Sequence, residues 1–174
     1  MSVSAHLSPE PERRLWLMLE AQRVAVDGFD ARMAGLVALS AAELAFAAGR
    51  AGLASWAALA PLAVVLPLGA FSFLPLPRLP KWLSFLEPAR QRQRLDDNLL
   101  ESEDLTKYSH GELIFRFDKY LGGGITATPY YEDLVGRIFD GAVLAARKKR
   151  LFTAACALTV IGQFGLLWLA FGYA

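Results

Sequence analysis

Leu53–Leu76 runs for 24 residues without one charged side chain, and no other stretch constrains the fold as strongly. A helix needs roughly 17 to 25 apolar residues to cross a hydrocarbon core of ~30 Å. Two further stretches meet that length, Met33–Gly49 before it and Leu151–Ala174 after it. A helix of a soluble domain would alternate polar and apolar faces with a period near 3.6 residues, whereas these apolar residues are bunched. A chain of 174 residues has too little remaining surface to cover such segments in water. The expectation is an all-α membrane protein with three transmembrane helices, a hairpin plus a C-terminal helix, and a helical cytosolic insert. Its parts are a cytosolic amphipathic helix over 1–32, the hairpin over 33–76, the insert over 77–150 and the last crossing over 151–174.

Charge sets the orientation. Of the 18 basic residues, 13 lie in the 77–150 insert, four precede Met33, and only Arg50 sits in the Gly49–Gly52 turn. Cytoplasmic flanks are enriched in Lys and Arg. The N-terminus and the insert are therefore expected inside and Ala174 outside, with the chain held in an inner membrane. Trp16, Trp82 and Trp56 fall near the expected boundaries, where tryptophan anchors at the interface. The first 30 residues carry Glu10, Glu12, Glu20, Asp27 and Asp30, which is unlike a secretory signal. A formal net charge of +1 argues against a nucleic-acid partner. The one cysteine, Cys156, lies within the last apolar stretch and is expected to pack as a small hydrophobe.

Local signals place the helices. Ser8-Pro9-Glu10 starts one, with a hydroxyl cap, proline at the first helical position and an acid at the positive end of the dipole. Leu15, Leu19, Val26, Phe29 and Met33 then form a stripe broken at Gln22, and no proline interrupts before the first crossing. In that crossing Ala34, Ala38, Ala41, Ala45 and Ala48 share a face, suited to close approach of a neighbouring helix and to a homo-oligomer. Pro61 and Pro67 predict a bent second crossing, and Pro75-Leu76-Pro77-Arg78-Leu79-Pro80 a rigid exit. Glu87-Pro88 predicts a helix through Arg90, Arg92, Arg94, Leu95, Leu99 and Leu100 to near Lys107. Ser109-His110-Gly111-Glu112 is a capping box, ahead of Leu113, Ile114, Phe117 and Leu121; Phe115 and Arg116 also allow a strand over 113–117. Gly122-Gly123-Gly124 is a hinge. Thr128-Pro129 opens a last helix, striped by Leu134, Val135, Ile138, Phe139, Ala142 and Val143, which continues through Arg147–Arg150 into the third crossing.

Little here points to catalysis. His6 and His110 are the only histidines, so a zinc site has no ligand set and no metal is expected. There is no nucleophile elbow, and the glycine triplet lacks the Lys-Ser/Thr of a phosphate loop. Asp96, Asp97, Glu101, Glu103 and Asp104 read as a solvated helix face. The chain is therefore expected not to be an enzyme and to need no cofactor. Two features carry functional readings. Glu43 sits mid-crossing, where an ionised carboxylate facing lipid costs on the order of 2.5 to 3.5 kcal/mol; it either serves a pathway or pairs with a neighbouring helix. Arg147, Lys148, Lys149 and Arg150 either anchor the helix against lipid headgroups or contact a phosphorylated ligand.

The arrangement resembles the transmembrane effector family of Pycsar anti-phage systems. The resemblance spans roughly residues 13 to 172 and rests on three features. Asp30-Ala31-Arg32-Met33-Ala34 leads into an apolar hairpin, with Arg32 where the family pattern suggests Lys. Tyr131-Glu132-Asp133-Leu134-Val135-Gly136-Arg137-Ile138 follows the insert, and Ala146-Arg147-Lys148-Lys149-Arg150-Leu151 enters the last crossing. The resemblance implies a membrane effector that answers a cyclic pyrimidine nucleotide made by a partner cyclase, then damages the inner membrane; it assigns no ligand-contacting residue. SLATT-type effectors share the layout. Other expectations the residues allow are a structural or assembly subunit of a membrane complex and an ion or proton conductor using Glu43.

Overall fold

The computed structural model describes residues 9–48, 56–74, 97–121 and 129–172. Of these residues 90% are helical and none lies in a strand. The helices are α1 (Pro9–Ala48), α2 (Trp56–Ser72), α3 (Ser102–Leu105), α4 (His110–Tyr120) and α5 (Pro129–Gly172). The strand alternative over 113–117 is thereby overturned, because those residues lie within α4. At a rise of 1.5 Å per residue, the 40 residues of α1 and the 44 of α5 make rods of ~60 and ~66 Å. Both are long and apolar enough to cross a membrane. Prolines 9 and 11 sit in the first turn of α1, where a missing N–H breaks no helical bond. The Ser8 and Thr128 caps, Trp82, the Pro75–Pro80 exit, residues 87–96 and the glycine triplet lie outside the described residues.

The chain divides into two compact units. The first comprises Met1–Asp27 and Leu76–Arg147. Its core gathers Leu15 and Leu19 of α1, Leu105 of α3, Tyr108, Leu113 and Phe117 of α4, and Leu134, Val135, Ile138 and Ala142 of α5. The spacing explains the choice: 15/19, 113/117 and 134/138/142 are steps of four, which fall on one helical face. Burial of a Leu or Phe side chain contributes roughly 1.5–3 kcal/mol. α1 and α5 run parallel here, since Tyr130 Oη donates to Glu12 Oε1 at 3.2 Å and Gly141 lies against Gln22 eleven residues further along α5.

The capping box at the start of α4 forms in full: Ser109 Oγ accepts from the Glu112 amide at 3.4 Å. Glu112 Oε2 accepts from the Ser109 amide at 2.7 Å. The segment before it departs from expectation. Where a helix to Lys107 was predicted, residues 97–101 turn and only the single turn α3 follows. Asn98 explains this, because its Oδ1 accepts from the Leu100 amide at 3.1 Å and Asp104 Oδ2 accepts from the Asn98 amide at 2.8 Å. Short polar side chains that bond nearby backbone compete with helix in this way. Asp104 and Asp97 then hold Lys107 Nζ at 2.6 and 2.7 Å, which keeps the ammonium proton bound to a higher pH than usual. Asp97 also accepts from Tyr108 Oη at 2.7 Å. Burial, then that bond, push the Tyr108 hydroxyl up to about 12, while the Arg116 guanidinium stacks 4.3 Å from its ring centre. Asp97, expected on a solvated face, is thus a buried structural acid.

The second unit comprises Gly28–Pro75 and Lys148–Ala174. It is a bundle of the later half of α1, all of α2 and the later half of α5. α2 is one helix of 17 residues through Pro61 and Pro67, about 25 Å long. It runs antiparallel to α1. Its Leu59 and Leu62 share a cluster with Ala47 and Leu44, while Gly69 meets Val37. Glycine is needed at both close approaches: a Cβ at Gly69 would collide with Val37, and one at Gly162 of α5 with Leu62. The predicted alanine face of α1 is not what packs against α2 and α5 within the chain. Ala34, Ala38, Ala41, Ala45 and Ala48 are all exposed, and the inward face carries Met33, Ser40 and Ala47.

Candidate functional site: a polar seam in the three-helix unit

The second unit inverts the usual distribution of polarity. Phe46, Val64, Phe73, Val160, Ile161, Phe164, Leu167, Trp168 and Phe171 point outward. Ser40, Ser72, Lys148 and Thr159 are buried. Only 17% of the most apolar window of α1 and 22% of that of α5 is buried.

Three polar pairs join α1 to α5. Lys148 Nζ donates to Asp30 Oδ1 in a short ion pair. Ser40 Oγ and Thr159 Oγ1 lie 3.4 Å apart. Gln163 Nε2 donates to Glu43 Oε1 at 3.0 Å. Residue numbers rise together on the two helices, so they run parallel in this unit as well. Thr159 Oγ1 donates its one proton to the Ala155 carbonyl at 2.9 Å, which makes Ser40 the donor to Thr159. The acceptor capacity of Ser40 is left open. Glu43 Oε2 and Ser72 Oγ are buried and have no hydrogen-bond partner among the described residues. From residue 30 to residue 43 the seam extends ~20 Å along α1.

The structure therefore turns Glu43 inward and bonds it to Gln163 through one oxygen only. The basic cluster does not present one surface. Arg147 and Lys148 are buried at 3% and 2% exposure, whereas Lys149 and Arg150 are exposed. Lys148 is paired with Asp30, for which the sequence reading gave no partner. Gln163, Ser40, Thr159 and the close-approach glycines Gly69 and Gly162 were missed. Their signal was present: polar or glycine residues inside otherwise apolar stretches, Ser40/Glu43 three apart and Thr159/Gln163 four apart, which are helical neighbours. Arg32 stacks 5.9 Å from the Phe29 ring centre, and Phe29 meets Phe152. Cys156 is a half-buried free thiol.

The first unit holds a groove of about 400 Å³ between α1 and α5, lined by the apolar Leu19, Val26 and Leu144 and by Gln22, Arg23, Asp27, Arg137 and Asp140. Among the described residues, no group of three or more His, Cys, Asp or Glu is placed to hold a metal ion. Compared with known proteins, the chain matches no family model, no curated protein and no solved structure.

Proposed function

We propose that the chain is an integral inner-membrane effector of anti-phage defence, activated by a cyclic pyrimidine nucleotide and acting as an oligomer to disrupt membrane integrity. The observation that carries the membrane part is the inverted polarity of the three-helix unit. Large apolar side chains face outward and hydroxyl, amide and carboxyl groups face inward, an arrangement that stabilises a bundle in lipid and destabilises one in water. In this reading Met33–Gly49, Leu53–Leu76 and Leu151–Ala174 cross the bilayer. The N-terminus and the 77–150 insert lie in the cytoplasm, and Ala174 lies outside. The parallel run of α1 and α5 with antiparallel α2 between them suits that topology.

The defence role rests on the resemblance. The groove of the first unit is large enough for a small ligand. Its Arg23 and Arg137 offer guanidinium groups to a phosphate, although Asp27 and Asp140 in the same lining balance their charge, and lipid headgroups on the cytoplasmic side match the exposed Lys149 and Arg150. Reporter fusions at Ser109 and Ala174 are expected to report cytoplasm and exterior. Co-expression with a pyrimidine cyclase should arrest growth, and Arg137→Ala should relieve the arrest. An aqueous Ala174 on the cytoplasmic side, or arrest indifferent to the cyclase, would overturn the corresponding half. The second reading, a non-catalytic assembly subunit, is favoured by the open alanine face of α1, which would seat a foreign helix. Co-purification of a stoichiometric second protein would select it.

A further inference from the structure

We propose that the three-helix unit conducts protons along its polar seam, with Glu43 as the relay acid. The inference rests on the membrane reading and goes beyond it, because it gives the route by which an inserted chain dissipates a gradient. The two side-chain polar atoms buried without a partner among the described residues, Glu43 Oε2 and Ser72 Oγ, both lie in this unit. Neither is isolated. Ser40 and Thr159 lie one turn from Glu43 and Gln163 along the seam, and Ser72 is one turn from the Gly69–Val37 approach. These hydroxyls accept and donate, as a chain of hydrogen-bonded water requires. The Asp30–Lys148 pair marks one end of the line.

Among the described residues of this unit, few other charged groups share the helices that hold Glu43. Its hydrogen-bond partner is Gln163 of α5, the adjacent Leu44 packs against the cluster of Ala47, Leu59 and Leu62 as does Leu166, and the one titratable group of α5 beyond Arg150 is the Cys156 thiol. The other charges of α1 in this unit are Asp30 and Arg32. Ionisable groups persist inside a bilayer where they serve such relays. The step balances without a redox partner. Glu43 Oε2 takes a proton from water on one side, forming the neutral acid, and returns it to water on the other side, regenerating the carboxylate; one proton crosses. Gln163, anchored on Oε1, positions the carboxyl group and exchanges no proton.

The test uses the full chain in phosphatidylcholine–phosphatidylglycerol vesicles that enclose a pH-reporting dye, with valinomycin and potassium clamping the potential. It is run with and without cyclic CMP or cyclic UMP. In at least one condition the wild type should dissipate a pH step at least an order of magnitude faster than protein-free vesicles. Glu43→Gln should fall to the protein-free rate, and Glu43→Asp should retain most of the flux. Ser40→Ala and Thr159→Val should each slow it several-fold. Flotation with the vesicles is scored for each protein, so a wild type that fails to float overturns the membrane reading itself. A floating wild type without proton flux, a Glu43→Gln variant as fast as wild type, or enclosed calcein escaping alongside protons would overturn the relay.

Discussion

In the first unit α1 and α5 share a core of Leu15, Leu19, Leu134, Ile138 and Ala142; in the second the same two helices meet through Ser40, Glu43, Thr159 and Gln163. The first unit follows the pattern of a domain in water, apolar inside. The second reverses it, with Phe164, Leu167 and Trp168 outside. One pair of helices therefore carries two solvation patterns, and the change falls near Asp27 on α1 and Arg147 on α5. Hydrophobic burial is what holds the first half together. On the proposed membrane reading, close packing and interhelical hydrogen bonds do so in the second, because lipid is as apolar as leucine.

The largest effect should come from the aqueous-type core. Phe117→Ala removes a fully buried ring and should destabilise the first unit by about 3–5 kcal/mol. Hydrogen exchange on the full protein in micelles should then show the amides of α4 opening while those of Leu151–Gln163 keep their protection. Loss of protection in both places would break the distinction between the units.

Next comes a pair of glycines within the second unit. Gly162→Leu drives a side chain into Leu62, whereas Gly35 faces open space. Overpacking should cost Gly162→Leu about 1–3 kcal/mol or more, read as a lower thermal midpoint in micelles, with Gly35→Leu close to wild type. An equal loss at Gly35 would mean that another chain covers the outer face of α1.

Alkaline pH should separate the units without mutation. Lys107 and Tyr108 both hold their protons more tightly in the folded chain than in the unfolded one. Their contributions are fully present below the ordinary values near 10 and fade as pH rises from there, that of Tyr108 through about 12. A pH titration of near-ultraviolet dichroism should show the first unit loosening over that interval, and Tyr108→Phe should remove the tyrosine part. The smallest effect is Ser109→Ala, which deletes the α4 cap and should cost about 1 kcal/mol. The second unit should not respond to it.

Much of the first unit was legible because its stripes alternate. Leu134, Val135, Ile138 and Ala142 stand out against Glu132, Asp133, Arg137 and Asp140, and the Ser109–Glu112 box announces α4. Residues 97–107 were not, because Asn98 and Asp104 close a turn whose competition with helix is decided by which bonds form. Gln22 looked like a break in a stripe. It lies in the core because Ser102, eighty residues away, donates to its Oε1 at 2.6 Å.

The sequence by itself determined the course of the long helices α1 and α5 and where polarity changes from one half of each to the other, since those properties depend on composition and local spacing. It did not determine which side of an apolar helix faces in. When a segment such as Leu53–Leu76 is apolar all round, no periodicity distinguishes its faces. That choice was made by contacts across some 118–120 residues of chain, Asp30 with Lys148, Ser40 with Thr159 and Glu43 with Gln163, and by the two glycines that admit α2. Those contacts turned the alanine face of α1 outward and Glu43 inward, because a carboxyl group in an apolar unit is stabilised only where a donor faces it.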